Sequence, residues 1–593
     1  MSDDGQAVTI DCTVLVIGGG FGGAWAALKA AERIPGVVLV DKAYVSRSGA
    51  STMSGGVTTA PQPEDDLDQW VEELSVLGGY EADQDWTRAL ITDQMQRVAD
   101  LDSWGVPIVK DAAGVIKRIK SRGMLAVRAL QYAPRLAMEA LRERADAAGA
   151  RIMDKVEIVE LLTSDGLYPT KGRVVGAIGF DVRTGTPYVI RAKRVIMATG
   201  PLAIKGFHPV DNDTGDGFAM GYRVGGRFVD MEFATGGTFS FVWAGYRFSN
   251  YNIAVGHGAR LINAAGERFM ERYDPVRYER SELNRVVAAF LKEIMDGRGP
   301  VYLDLTHVDD DYWTALDRAL AGRPSILKSG RIPDPRLHPL PIEPGWSFWN
   351  GGKGGLQLDL TCHTSVPGLM AAGGVARNAG VGRHGSAGTP TAWAMVSGAR
   401  AGVAAAEDAL TEDEPELPDG LVDDLLRRML RPLRDGDLMS MDKLHGEVCD
   451  IMGSQMELMC QNEGRIREAL VRTRALRDRL DGLRVADVHE LVKFHEAKNT
   501  LDSFELIYSC MDDRKESRES FYREDYPYTD DGGWLCWHTA TRVEDGISFD
   551  KQEIPFWRYR FRPPRLATYL SPIAAIMRGE YDPAVHSNVS PRR

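Results

Sequence analysis

The chain has 593 residues, 44% hydrophobic and 26% charged, with a net charge of −13 at pH 7. That length exceeds one ordinary domain, so two or three are expected. The acidic balance excludes nucleic acid as a partner, because a phosphate backbone demands a basic footprint. No apolar run reaches the ~20 residues of a transmembrane segment. The start, Met1-Ser2-Asp3-Asp4-Gly5, lacks the regions of a signal peptide, so a soluble, cytoplasmic protein is expected.

In chain order, Val14-Leu15-Val16-Ile17 reads as a buried parallel strand, followed by glycines and an alanine-rich helix from Ala24 to Ala31. Gly18, Gly20 and Gly23 fit the G-x-G-x-x-G spacing. The first permits a tight turn, the second lets backbone approach a pyrophosphate, and the third brings helix and strand together. The helix start then offers free N–H groups to the anion. A second strand, Val37 to Val40, ends in Asp41, about 20 residues on, where an acid holds a ribose hydroxyl. The loop from Lys42 to Gly56 is small-residue-rich and can press its backbone against a flat ring system. Residues 64–104 read as helical, with Trp70, Val71 and Leu74 on the apolar face, and Pro134 to Ala148 as an amphipathic helix. Arg151 to Leu162 is strand-like, Val174–Phe180 and Tyr188–Ile190 form a hairpin-like pair, and Arg194 to Gly200 is a strand ending in Ala-Thr-Gly. The Glu/Asp/Pro-rich stretch Thr411–Pro418 reads as a linker, and residues 419 to about 530 as helical. The tail, holding Trp534, Trp537, Trp557 and Tyr559, reads as an extended arm. The six cysteines (Cys12, Cys362, Cys449, Cys460, Cys510, Cys536) form no C-x-x-C pair, which excludes the usual internal iron–sulfur runs and a zinc ribbon. No metal site is expected.

The dinucleotide fingerprint, the Val195-Ile196-Met197-Ala198-Thr199-Gly200 strand and Asn212-Asp213-Thr214-Gly215-Asp216-Gly217 together resemble the FAD-linked fumarate reductase/succinate dehydrogenase flavoprotein superfamily. So do Asp230-Met231-Glu232-Phe233, Gly266-Glu267-Arg268-Phe269, Ala371-Ala372-Gly373-Gly374 and the run from Arg514 to Pro527. The resemblance implies an α/β fold. A Rossmann-like FAD-binding domain (8–230 and 345–410) carries an inserted α+β capping domain (231–344), followed by a helical C-terminal domain (419–530) and a tail (531–593). FAD would be held by Gly18, Gly20, Phe21, Gly23, Asp41, Lys42, Ser48, Gly49, Gly55, Val156, Ala198, Thr199, Gly200, Asp216, Gly374 and Thr389.

Departures from the family pattern carry the functional reading. The histidine that bears a covalent flavin bond in respiratory members is replaced in Arg47-Ser48-Gly49-Ala50, so FAD is expected to be non-covalent. The family's dicarboxylate histidine, arginine and second histidine fall on Gly237, Leu283 and either Asn350 or Ser347. A substrate with two carboxylates needs cationic and hydrogen-bonding groups at both ends, so fumarate and succinate are not expected. The acid that many members carry after Ala-Ala-Gly, where it holds the ribityl chain, is Gly374. Polar chemistry persists in Arg383-His384 and near Arg285; these three are the candidate catalytic residues, with Lys353 and His257 behind them. The Arg383-His384 loop resembles, more loosely, the adenylylsulfate reductase flavoprotein.

The expected activity is a two-electron oxidation or reduction of a small anionic substrate. The alternative is a flavoprotein subunit exchanging electrons with a separate iron–sulfur, ferredoxin-like partner. A flavin-binding protein without turnover is the weakest reading. Homo-oligomerisation is left open.

Overall fold

The computed structural model describes residues 7–204, 212–243, 246–248, 251–319, 333–348, 353–379, 386–414 and 416–586. Its central sheet begins with β1 (Val8–Ile17), β2 (Val37–Asp41), β3 (Arg151–Asp154), β4 (Val156–Thr163), β5 (Val174–Asp181) and β6 (Pro187–Met197), in the order β3-β2-β1-β6-β5-β4. The β3-β2-β1-β6 half is parallel and the β6-β5-β4 half antiparallel. Val14, Leu15 and Val16 are fully buried, as a strand covered on both faces requires. The strand-like run 151–162 is two strands rather than one. Lys155 breaks it with a left-handed φ of 66° and donates its N–H to the Ala43 carbonyl. The C-terminal half of β6 pairs in parallel with Leu369–Ala371, so a segment far along the chain returns to the strand that ends at Ala198.

The glycine spacing is visible as packing. Helix α1 (Phe21–Ala31) starts directly after the turn. Gly18 sits at φ +103°, and a Cβ there would lie 2.4 Å from the Ala198 carbonyl oxygen; one on Gly23 would lie 1.7 Å from the Gly18 oxygen. Neither position admits a side chain.

Between β6 and the returning strand lies a five-stranded sheet containing Thr235–Trp243 and Leu340–Phe348. Helix α2 (Leu283–Met295) packs against it, and the Asn284 Oδ1 accepts the Gly237 N–H (2.9 Å). After the return, α3 (Thr389–Ala409) crosses α1 at close range: a Cβ on Gly398 or Gly402 would meet the Gly22 or Ala26 oxygen at 2.2 Å. The stretch read as a linker is pinned by ion pairs from Arg173 and Arg194 to Glu412.

The helical region culminates in α4 (Val488–Asp513), buried along most of its length. Helical structure ends there. Residues 514–530 are turns and short strands, because their charges are turned inward. The tail departs from a free arm: Trp537–Val543 and Gly546–Gln552 form a hairpin that joins Arg227–Val229 and Gly355–Leu356 in a four-stranded sheet. Among the described residues no helix is long and apolar enough to cross a membrane.

Candidate functional site

The turn after β1, the end of β2, the loop into Gly49–Met53 and the end of β6 converge on one cradle. Asp41 accepts the Gly19 and Ala43 N–H groups (both 2.7 Å). The Phe21 N–H, at the start of α1, donates to the Ser51 hydroxyl (2.9 Å), and a Cβ on Gly20 would stand 3.0 Å from the same oxygen. Ser48 closes its own turn on Tyr44. Gly49 holds a left-handed φ of 78°. Gly55 is exposed, with open space where a Cβ would go. Val156 is buried beside the Lys155–Ala43 contact.

Lys42 and Asp216 turn out to be partners. The Lys42 Nζ donates to Asp216 (2.8 Å), Thr214 (2.7 Å) and Glu496 (3.1 Å). Burial opposes its charge, but Asp216, Glu496 and Glu157 hold its pKa above the usual lysine value. Asp216 also accepts from Thr214 (2.9 Å) and from Asn499 of α4 (3.0 Å). These side chains tie the cradle to the helical region.

Gly374 has a steric origin. A Cβ there would lie 2.7 Å from Pro201 Cδ, so the proline ring fills the place where the family's acid would begin.

Several polar groups are buried with no partner among the described residues: the Thr199 and Thr389 hydroxyls, the Ser386 hydroxyl, and both ends of the Asn378 carboxamide. A buried polar group without a partner costs about 1–3 kcal/mol, so this set calls for a ligand rich in hydroxyl, phosphate and ring-carbonyl groups. FAD fits that description, and the glycine cradle and the start of α3 at Thr389 fit its shape and charge. Asn378 and Ser386 were not singled out from the sequence. Their only signal was position, flanking the glycine-rich loop.

Arg383 and His384 lie outside the described residues, as does Asn350. Arg285 is placed differently from the catalytic expectation. It is 2% exposed, ion-paired to Asp274 (3.4 Å) and Glu282 (3.7 Å), and it donates to the His586 carbonyl (3.3 Å). That posture fastens the C-terminal segment to the inserted region.

Lys353 is likewise enclosed, 1% exposed, between Glu81 and Glu519 (2.9 Å). Around it lies a buried ionic cluster. Arg514 meets Glu81 (3.0 Å), Glu232 (2.6 Å) and Glu516 (2.6 Å), and Arg518 meets Glu516 (2.7 Å) and Asp531 (3.0 Å). Arg377 meets Asp230 (2.7 Å), and His538 bridges Glu232 (3.2 Å) and Asp513 (3.0 Å). Phe233 lies under both Lys353 and Arg514. The acids of Asp230-Met231-Glu232-Phe233 therefore serve as an ionic hub between the inserted region and the C-terminal part. Burial opposes the His538 cation, but Glu232 and Asp513 raise its pKa to about 9. His257 contacts Gln131 (3.1 Å), and burial lowers its pKa despite nearby Asp309.

At two of the dicarboxylate positions apolar side chains fill the space. A Cβ on Gly237 would meet Val287 Cβ at 2.7 Å, and Leu283 is buried at the start of α2. Ser347 is buried, and its hydroxyl has no partner among the described residues. All six cysteines are free. Among the described residues no cluster of three or more His, Cys, Asp or Glu could hold a metal ion.

Comparison with known proteins agrees with this geometry. Residues 13–389 match the FAD binding domain family, and residues 445–566 match the fumarate reductase flavoprotein C-terminal family. The chain is 30% identical to one subunit of the fumarate reductase (CoM/CoB) of Methanothermobacter marburgensis, over 88% of this chain and 95% of that protein. It is 29% identical to the fumarate reductase flavoprotein subunit of Mycobacterium tuberculosis, over 91% and 96%. In fold it is similar to the E. coli quinol fumarate reductase (TM-score 0.80, 23% identity, 94% of this chain and 98% of that one). It is also similar in fold to the adenylylsulfate reductase of Archaeoglobus fulgidus (TM-score 0.78, 23% identity, 93% and 97%). The chain therefore belongs to the fumarate reductase/succinate dehydrogenase flavoprotein family and is an FAD-dependent oxidoreductase.

Proposed function

We propose that this flavoenzyme oxidises or reduces a small anionic substrate other than fumarate or succinate. One observation carries the reading: Val287 occupies the space beside Gly237, and Leu283 stands where the family pattern has an arginine. Charge-assisted hydrogen bonds contribute about 1.5–3 kcal/mol each. Losing two would weaken dicarboxylate binding roughly a hundred- to ten-thousand-fold. Relatives named as fumarate reductases favour the opposite substrate, and these positions are what supports the present reading against them.

FAD, when bound, supplies the acceptance or donation of two electrons. The chain's own groups do the rest. The start of α3, with Thr389, would offer N–H groups and a positive dipole end to an anionic part of the cofactor. Asn378 and Ser386, both buried, would offer hydrogen bonds to it. Arg383 binds the substrate's anionic group, and a ring nitrogen of His384 carries the accompanying proton. The relatives' names as subunits support a second element of the proposal, a separate iron–sulfur partner for electron exchange.

Site-directed variants test the assignment. Arg383→Ala is expected to raise KM and lower kcat/KM, and Arg383→Lys to restore little, because an ammonium cannot replace a bidentate guanidinium. His384→Ala is expected to lower kcat about a hundredfold or more and change the pH profile. Variants with normal FAD content and wild-type turnover would sink the assignment.

A further inference from the structure

Two acids stand three residues apart between β6 and the Asp216–Arg223 helix, and the fold treats them oppositely. The Asp216 carboxylate is saturated by Lys42, Thr214 and Asn499. Asp213 is just as enclosed, 5% exposed, yet no hydrogen bond or ion pair reaches its carboxylate among the described residues, and Oδ2 is fully buried without a partner. The carboxylate lies against two left-handed glycines. A Cβ on Gly200 would stand 3.1 Å from Oδ1 and 3.5 Å from Oδ2, and one on Gly49 3.9 Å from Oδ1. Gly49 opens the short helix whose Ser51 meets the start of α1, and Gly200 follows the strand end that Gly18 packs against. Asp213 thus projects into the cradle from the side where Pro201 closes off position 374.

We propose that Asp213 is a cofactor-contact residue whose carboxylate accepts hydrogen bonds from sugar-alcohol hydroxyls of FAD. The chemistry selects the hydroxyls. An ionised carboxylate is an acceptor only. It repels the pyrophosphate and gains nothing from the ring carbonyls, whereas the ribose and the ribityl chain present O–H donors. Burial, together with Asp216 and Asp41, pushes its pKa up to about 7 against the pull of Lys42. Donors from the ligand offset that cost. The arrangement also accounts for the absence of an acid at 374: the acceptor is supplied from the segment leading into the Asp216–Arg223 helix.

The test compares wild-type holoprotein with Asp213→Ala and the near-isosteric Asp213→Asn, following flavin fluorescence on dilution and the thermal midpoint. Asp213→Ala is expected to weaken FAD binding about ten- to a hundredfold, the range for a hydrogen bond to a charged group. Asp213→Asn, which keeps one acceptor oxygen, should fall between. Displacement of FAD by excess ADP or FMN identifies the source. A contact to the ribityl chain weakens FMN as a competitor in the variants and leaves ADP unchanged; a contact to the ribose does the reverse. If Asp213→Asn retains FAD within twofold of wild type while its thermal midpoint rises, the carboxylate is only an unrelieved buried charge and the proposal is overturned. Wild-type protein without stoichiometric FAD would instead defeat the flavoenzyme reading itself.

Discussion

Gly49 sets how the flavin is retained. Its backbone is left-handed and it offers no nucleophile where covalent members carry a histidine, so acid precipitation should release the yellow flavin into the supernatant. Colour that stays with the pellet would contradict this. The glycines of the fingerprint were legible in the sequence because their constraint is local: Gly18 and Gly23 exclude a Cβ through contacts with β1, α1 and the end of β6. Arg285 and Asp213 were not legible. Arg285 is assigned by Asp274 and by the carbonyl of His586, 301 residues away. Asp216 is named by the family resemblance, and nothing local announces that Lys42 and Asn499 will saturate it.

At the scale of elements, the ionic cluster joins the loop at Glu81, the start of the inserted region at Glu232 and the C-terminal part. Lys353 is one of its fully enclosed cations, with Arg514. Lys353→Met leaves Glu81 and Glu519 facing each other in a buried site, and breaking such a pair costs about 3–5 kcal/mol. Urea denaturation should show that loss, and adding Glu519→Gln should recover part of it. An unchanged midpoint for the single variant would mean the cluster does not join the elements. Strand and helix periodicity carried most elements, including the antiparallel β5–β6 pair and the helices of residues 64–104. It missed the break at Lys155, which depends on a backbone bond to Ala43. It also missed the place of the tail hairpin in a sheet, where Trp537–Val543 pairs with Arg227–Val229. Both are non-local pairings that no window of sequence contains.

For the whole molecule, pH acts on the same joint. The folded state raises His538 from 6.5 to about 9, with burial opposing and Glu232 and Asp513 favouring the cation. The contribution is fully present below the unfolded value of 6.5 and is lost as pH rises through about 9, amounting to about 3 kcal/mol at most. The thermal midpoint should therefore fall over that window, and His538→Gln should flatten the fall. An equal slope in the variant would assign the pH dependence elsewhere. The central claim concerns the altered dicarboxylate positions, and flavin absorbance tests it most directly. Holoprotein reduced anaerobically is mixed with fumarate, and oxidised holoprotein with succinate. The expected result is a flavin that keeps its redox state with both acids. Reoxidation by fumarate or reduction by succinate on the order of 10 per second, the rate of an ordinary enzyme, would contradict it.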